Sequence, residues 1–233
     1  VGKTVEDMSE ARDAILARVK TGVARSDDDA GRRAVAERLA GHTRGLQPKR
    51  IDLDQEALVD LFAENAQAVD ATVSFINSAV DLPEAIADYL RSRNMPARAA
   101  IAPHPDLDSI DWSAGTMEVH RRAPEADDRI GINRCFAAVA ETGTLVMASG
   151  PDSPATMNFL PETHIAVVAA SEITGSYEDM WDRLRSANRG SGEALPRTVN
   201  MITGTSRTGD IEQTLQTGVH GPKALHIVVV KEG

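Results

Sequence analysis

The sequence predicts an α/β fold, a mostly parallel sheet covered by helices on both faces, with an N-terminal helical arm ahead of it. Three observations predict this. From Asp54 onward, segments with helical apolar spacing alternate with short β-rich runs, as strand–helix–strand units require. Two of those runs, 164–170 and 224–230, are apolar almost throughout, which suits strands buried on both faces. Before Asp54, helical spacing occurs twice with no strand between. With 233 residues and 42% hydrophobic content, the chain can bury the core of one large domain carrying such an appendage.

Residues 6–19 set Met8, Ala11, Ile15 and Val19 at helical spacing, a stripe that needs a partner surface. Ser26 and the acids Asp27, Asp28 and Asp29 offer acceptors to free N–H groups and negative charge to the positive end of a helix dipole. A second helix is therefore expected to reach Ala40. Two glycines and a proline in 41–48 mark a connection, so the expected division is an arm over 1–45 and an α/β domain over 46–233. The arm is expected to cover the main domain or to pack in a homo-oligomer.

Leu58, Leu61, Phe62 and Ala66 define a helix over 54–69, and a strand follows over 71–76. The next helix, 82–94, has Pro83 in its tolerant first turn, and Met95-Pro96 separates it from a strand over 99–102. Pro103 and Pro105 hold His104 at that strand's end, while 106–128 is charged and aperiodic apart from a short strand over 116–120. Gly131-Ile132-Asn133-Arg134 leads into small apolar residues 135–140, read as a helix ending at the corner Glu141-Thr142-Gly143-Thr144, with a strand over 145–148 beyond. A turn cluster at 150–154, a short helix over 156–160, the strand 164–170 and a helix over 177–189 with Met180, Trp181 and Leu184 inward come next. A Gly-rich linker, 188–196, precedes the apolar run 198–203.

That run opens into a loop with Gly204, Thr205, Ser206, Arg207 and Thr208, and a helix is expected to begin near Asp210 and to end at Gly218. Loop amides and a helix N-terminus favour an anion, and Arg207 can grip a carboxylate or phosphate with two donors. Asp210 with Gln213 also makes a capping pair. The corner Glu141-Thr142-Gly143-Thr144 is expected to form the facing wall of a cleft. Gly143 there supplies a positive φ, and Glu141 is a nucleophile or general base if its carboxylate is desolvated and hydrogen-bonded. His220, in an exposed turn before the last strand, joins the candidate site. His164 is expected to be a satisfied core histidine and His226 to lie within the final strand.

Several function classes fall away. A formal net charge of -10 with dispersed basic residues argues against a nucleic-acid surface. No apolar run is long enough to span a bilayer, and the first residues lack a secretory plan, so the expected location is the cytoplasm. The single cysteine, Cys135, forms no CxxC pair and is expected to pack as a hydrophobe. No histidine pair has the spacing of a zinc helix, and no complete flavin or nicotinamide motif occurs, so no metal or cofactor is expected.

Four blocks, 140–146 (Ala-Glu-Thr-Gly-Thr-Leu-Val), 160–168 (Leu-Pro-Glu-Thr-His-Ile-Ala-Val-Val), 202–214 (Ile-Thr-Gly-Thr-Ser-Arg-Thr-Gly-Asp-Ile-Glu-Gln-Thr) and 219–222 (Val-His-Gly-Pro), resemble the LUD-domain family, most closely its lactate utilization protein C branch. The resemblance implies a fold of the ribose-5-phosphate isomerase and CoA-transferase type. It also implies a subunit without iron–sulfur centres in a system oxidising L-lactate to pyruvate, with iron–sulfur sister subunits as partners. The anion-competent loop and the lack of a redox motif give the reading of a subunit that binds a small carboxylate, a phosphate or a partner protein. Glu141-Thr142-Gly143 is similar to the glutamate–x–glycine nucleophile of CoA-transferases, which gives the alternative of an acyl-transfer or isomerase-type enzyme.

Overall fold

The computed structural model describes residues 5–23, 29–114, 117–188, 195–209 and 216–232. They belong to two units, Val1–Gly45 and Leu46–Gly233. The first contains helices α1 (Val5–Val23) and α2 (Asp29–Gly41). Ile15, Leu16 and Val19 of α1, and Val35 and Leu39 of α2, are exposed. Ser26, Asp27 and Asp28, expected to start the second helix, lie outside the described residues.

In the second unit Asp54 caps α3 (Gln55–Ala68) by accepting the Ala57 N–H at 2.9 Å. There follow β1 (Thr72–Ser78), α4 (Leu82–Ser92) with Pro83 in its first turn, β2 (Arg98–Ile101), the short α5 (Pro105–Asp108), β3 (Glu118–Arg121), β4 (Ile130–Arg134), β5 (Ala137–Val139) and β6 (Thr144–Ala148). Then come β7 (Thr163–Ala169), β8 (Ile173–Thr174), α6 (Tyr177–Asn188), β9 (Val199–Ile202), β10 (Arg207–Thr208), β11 (Gln216–Thr217) and β12 (Ala224–Glu232).

Six strands form a wholly parallel sheet in the order β1-β12-β7-β4-β2-β3. Its central strand, β7, is buried along its whole length. Strand alternation divides the core. Ile132, Ile165, Val167 and Val228 pack with Ile86 and Leu90 of α4. Ala166, Val168, Ile227 and Val229 pack on the other face with Phe62 and Ala66 of α3. At about 25 cal/mol per Å² of apolar surface removed from water, these two layers are the main source of stability.

A second, four-stranded sheet, β8-β5-β6-β9, corrects the expectation of a helix over 135–140. Residues Ala137–Val139 pair antiparallel with β6 and parallel with β8. The physical reason is burial on both faces: Ala138 and Ala140 meet the α3 layer, while Ala137 and Val139 pack against Met180 of α6. A strand covered on both sides shows no alternation, and small residues then mimic a helix. The corner at Glu141 is consequently a β-hairpin turn, with Gly143 at φ +64°.

Cys135 enters β5 buried, and burial pushes its thiol up to about 12, so it stays protonated. The helix expected from Asp210 falls on 210–215, outside the described residues. On either side of them β10 and β11 pair antiparallel, Arg207 opposite Thr217, so Gly218 (φ +78°) follows a strand rather than a helix. Residues 189–194 of the expected linker are likewise outside the described residues.

Candidate functional site

Because β9 belongs to the second sheet, the loop leaving it opens over the amino ends of β7 and β12 in the large sheet. There it forms one side of a cavity of about 230 Å³, lined by Gly204, Thr205, Ser206 and Arg207 together with His220, Gly221 and Pro222. Phe159 and Met201 stand at its sides, and His164 and Leu225, the second residues of β7 and β12, lie beneath. The expected association of the loop with His220 is present; His164 is an addition to it.

Backbone bonds fix this arrangement. The Ser206 N–H donates to the Pro222 carbonyl at 3.0 Å, and the Gly218 N–H donates to the Ser206 carbonyl at 2.9 Å, so loop and turn are stitched together. The Ser206 amide is thereby used and does not face an anion. Gly204 has φ +75°, and a Cβ built there would lie 2.2 Å from the Val69 carbonyl oxygen, which leaves glycine as the residue that fits. Arg207 is not a free clamp: its guanidinium is ion-paired with Asp70, which sits at φ +65° just after α3. Thr208 is buried in β10 and is not among the residues lining the cavity. Asp210 lies outside the described residues.

His164 departs from its expected satisfied state. It is 0% exposed, and neither ring nitrogen has a hydrogen-bond partner among the described residues. Burial pushes its pKa down to about 4, so the ring is neutral at pH 7. Two unpaired polar atoms in an apolar strand cost stability, about 1–3 kcal/mol for each lost partner. His226 shows the contrasting case. Its Nδ1 lies 2.8 Å from Thr72 Oγ1, its Nε2 lies 3.2 Å from Ser74 Oγ, and its ring stacks on Tyr89 at 3.8 Å.

The Glu141–Thr144 turn is not the facing wall of this cavity. Glu141 Oε1 accepts from Arg50 Nη2 at 2.9 Å, and Asn65 Nδ2 donates to the Ala140 carbonyl at 2.8 Å. A Cβ on Gly143 would lie 2.3 Å from the Ala66 nitrogen, so the turn sits directly on α3. Thr142 and Thr144 spend their hydroxyls on each other at 2.6 Å and on Tyr177 Oη at 2.9 Å each. Thr144 also meets Thr203 Oγ1 at 2.7 Å, which joins the turn to the base of the loop. The hydroxyl-rich corner is a structural lock.

Sequence reasoning missed a larger cavity, about 450 Å³, at the carboxyl ends of β4, β7 and β12. Arg134, the last residue of β4, places Nη1 2.5 Å from Glu172 Oε2 and Nε 3.2 Å from Asp106 Oδ2. Arg183 Nη2 donates to Glu172 Oε1 at 3.1 Å. Desolvation opposes the Arg134 charge, but the Glu172 bond and charge outweigh it and raise the Arg134 pKa. The available signal was an arginine at the end of a short strand, in the place where parallel sheets gather ligands. Among the described residues no helix is long and apolar enough to cross a membrane, and no cluster of three or more His, Cys, Asp or Glu is arranged to hold a metal.

Fold and site together define an α/β domain with a parallel core sheet, a second sheet packed beside it, and cavities at both ends of the central strands. Residues 59–230 match the model of the LUD domain family, and the chain belongs to that family. It is 37% identical over 121 residues to Lactate utilization protein C of Bacillus subtilis (strain 168), covering 51% of this chain and 49% of that protein. With Lactate utilization protein C of Geobacillus sp. (strain WCH70) it shares 38% over 125 residues, 53% of this chain and 50% of that protein. The chain thus spans about half the length of these curated relatives. A crystal structure of a DUF162 family protein from Deinococcus radiodurans has the same fold, with TM-score 0.56 and 22% identity over 76% of this chain and 99% of that one.

Proposed function

We propose that this chain serves lactate utilization as a cytoplasmic subunit without iron–sulfur centres, in a system that oxidises L-lactate to pyruvate. Its iron–sulfur sister subunits carry the electrons, and the amino-edge cavity of this chain holds a small carboxylate. The names of the relatives support the pathway, and a single cysteine fits a subunit with no cluster of its own. The observation that carries the binding reading is His164, a buried neutral imidazole whose two nitrogens have no partner among the described residues, at the floor of a small cavity.

A small acid entering beside Ser206 and His220 offers that ring a polar partner. The carboxylate also competes with Asp70 for Arg207. The acyl-transfer alternative receives less support, because Glu141 is paired with Arg50 and stands outside the cavity. Kinship with isomerases and CoA-transferases is proposed on fold alone.

The test is deletion of the gene followed by growth on L-lactate, with complementation by wild type, His164→Leu and His220→Ala, and affinity capture of intact partners scored for iron. Loss of growth restored by wild type but not by His164→Leu is expected. Unimpaired growth of the deletion strain on lactate would overturn the assignment.

A further inference from the structure

The parallel sheet brings the carboxyl ends of β4, β7 and β12 to one edge, and the 450 Å³ cavity there lies in the range, roughly 300–1,000 Å³, that takes small organic ligands. Its floor is apolar, with Leu82, Leu107, Ile110, Val167 and Val230. Its polar wall is a chain of alternating charge, Asp106–Arg134–Glu172–Arg183. The members of that chain are held very differently.

Glu172 is fixed from three directions. One oxygen accepts from Arg183 Nη2, and the other accepts the Ala169 N–H at 3.2 Å and pairs with Arg134 Nη1. Its side chain is 18% exposed. Arg134, 11% exposed, is fixed as well, since Nη1 donates to the Cys135 carbonyl at 2.8 Å. Two arginines on one carboxylate leave an excess positive charge at this wall. Asp106 offsets it, with Glu232 a further exposed acid lining the cavity, but the Asp106 side chain is 60% exposed and sits on a helix of four residues. With the acid partner this exposed, solvent screens the pair and it holds Asp106 only weakly. Asp106 therefore occupies the Nε edge of Arg134 as an exchangeable carboxylate.

We infer that this carboxyl-edge cavity is a second ligand site, for a small monocarboxylate with an apolar body, whose carboxylate replaces that of Asp106 on Arg134 while its hydrocarbon rests on the Leu82–Ile110–Val230 floor. The site is separate from the amino-edge cavity, and the inference does not depend on the role in lactate utilization. Asp106 acts as a built-in competitor, so the ligand's apparent affinity is reduced by the fraction of time that Asp106 holds Arg134. Charge sets the direction of the effect: removing the Asp106 charge strengthens an anion and weakens a cation.

Isothermal titration of the full chain with hexanoate, phenylacetate, hexanamide and hexylamine tests this. Saturable binding of at least one acid is expected, with no binding of the amide. Asp106→Asn should tighten acid binding about threefold or more. Arg134→Gln should abolish it, and because that change also takes one partner from Glu172, which Arg183 and the Ala169 N–H still hold, Ser171→Trp provides a second block at the exposed mouth of the cavity. Absence of saturation with both acids in wild type and in Asp106→Asn would overturn the inference. So would tighter binding of hexylamine than of the acids, or acid binding that Ser171→Trp leaves intact.

Discussion

Mild acid should weaken this protein through its buried histidines, and His164 offers the cleanest measurement. Both His164 and His226 are held down to about 4 in the folded chain, against an ordinary value of 6.5. Between those values the unfolded chain binds a proton that the folded chain refuses, so stability rises with pH across the window. The contribution is intact above the unfolded value and is lost as pH falls through 6.5 toward the folded value near 4. At about 1.4 kcal/mol per pH unit, the full window is worth roughly 3 kcal/mol for each ring, and about 2 kcal/mol of it is lost by about pH 5.

His164→Leu removes one of these two slopes and with it two unsatisfied nitrogens. Urea unfolding at about pH 7.5 and about pH 5 should show the variant as stable as wild type or about 1–3 kcal/mol more stable at the higher pH, and less sensitive to acid by about 2 kcal/mol. An unchanged acid dependence would refute the argument that this ring is buried and neutral. A loss of several kcal/mol at neutral pH would refute the claim that its nitrogens are unpaired.

The remaining expectations concern the turn and the loop. Gly143→Ala drives a Cβ into the α3 backbone and Gly204→Ala drives one into the Val69 carbonyl just beyond that helix, both at positive φ, and each should lower unfolding free energy by about 2–4 kcal/mol, whereas Gly209→Ala, with nothing within 4 Å of its Cβ among the described residues, should change it by less than about 0.5 kcal/mol in the same urea titration. Asp70→Asn, which keeps a side chain suited to the positive φ there, should change stability by less than about 1 kcal/mol while freeing Arg207, so that L-lactate binds several-fold tighter by calorimetry. Glu141→Gln should leave complementation of growth on lactate intact; a variant that folds normally but fails to complement would return Glu141 to the list of reacting groups.

Much of the main sheet was legible because its strands carry their own evidence. The runs 164–170 and 224–230 are apolar on both faces, as strands in the middle of a parallel sheet require. Residues 135–140 were misread by the same physics, since burial on two sides erases the period that separates strand from helix. The loop at Gly204 and the turn at His220 were correctly singled out as neighbours. The pairing of Arg207 with Asp70 and of Glu141 with Arg50 spans 137 and 91 residues of sequence, and no local pattern announces such contacts. The unsatisfied state of His164 was equally hidden, because sequence shows that a histidine enters a strand but not what stands opposite its ring.

The carboxyl-terminal end of α3 has a consequence for how this domain can change. Gly143 presses on Asn65 and Ala66, Gly204 presses on Val69, and Asp70 holds Arg207. Two segments far apart in the chain, the hairpin turn and the 204–207 loop, thus take their positions from a single stretch of six residues, 65–70. One residue inserted into α3 would rotate that stretch by about 100° and leave both segments without a seat at once. Evolutionary drift can reshape the cavity's rim, at Phe159, Met201 or His220, with little consequence for folding. It cannot lengthen this helix without rebuilding the hairpin and the loop together.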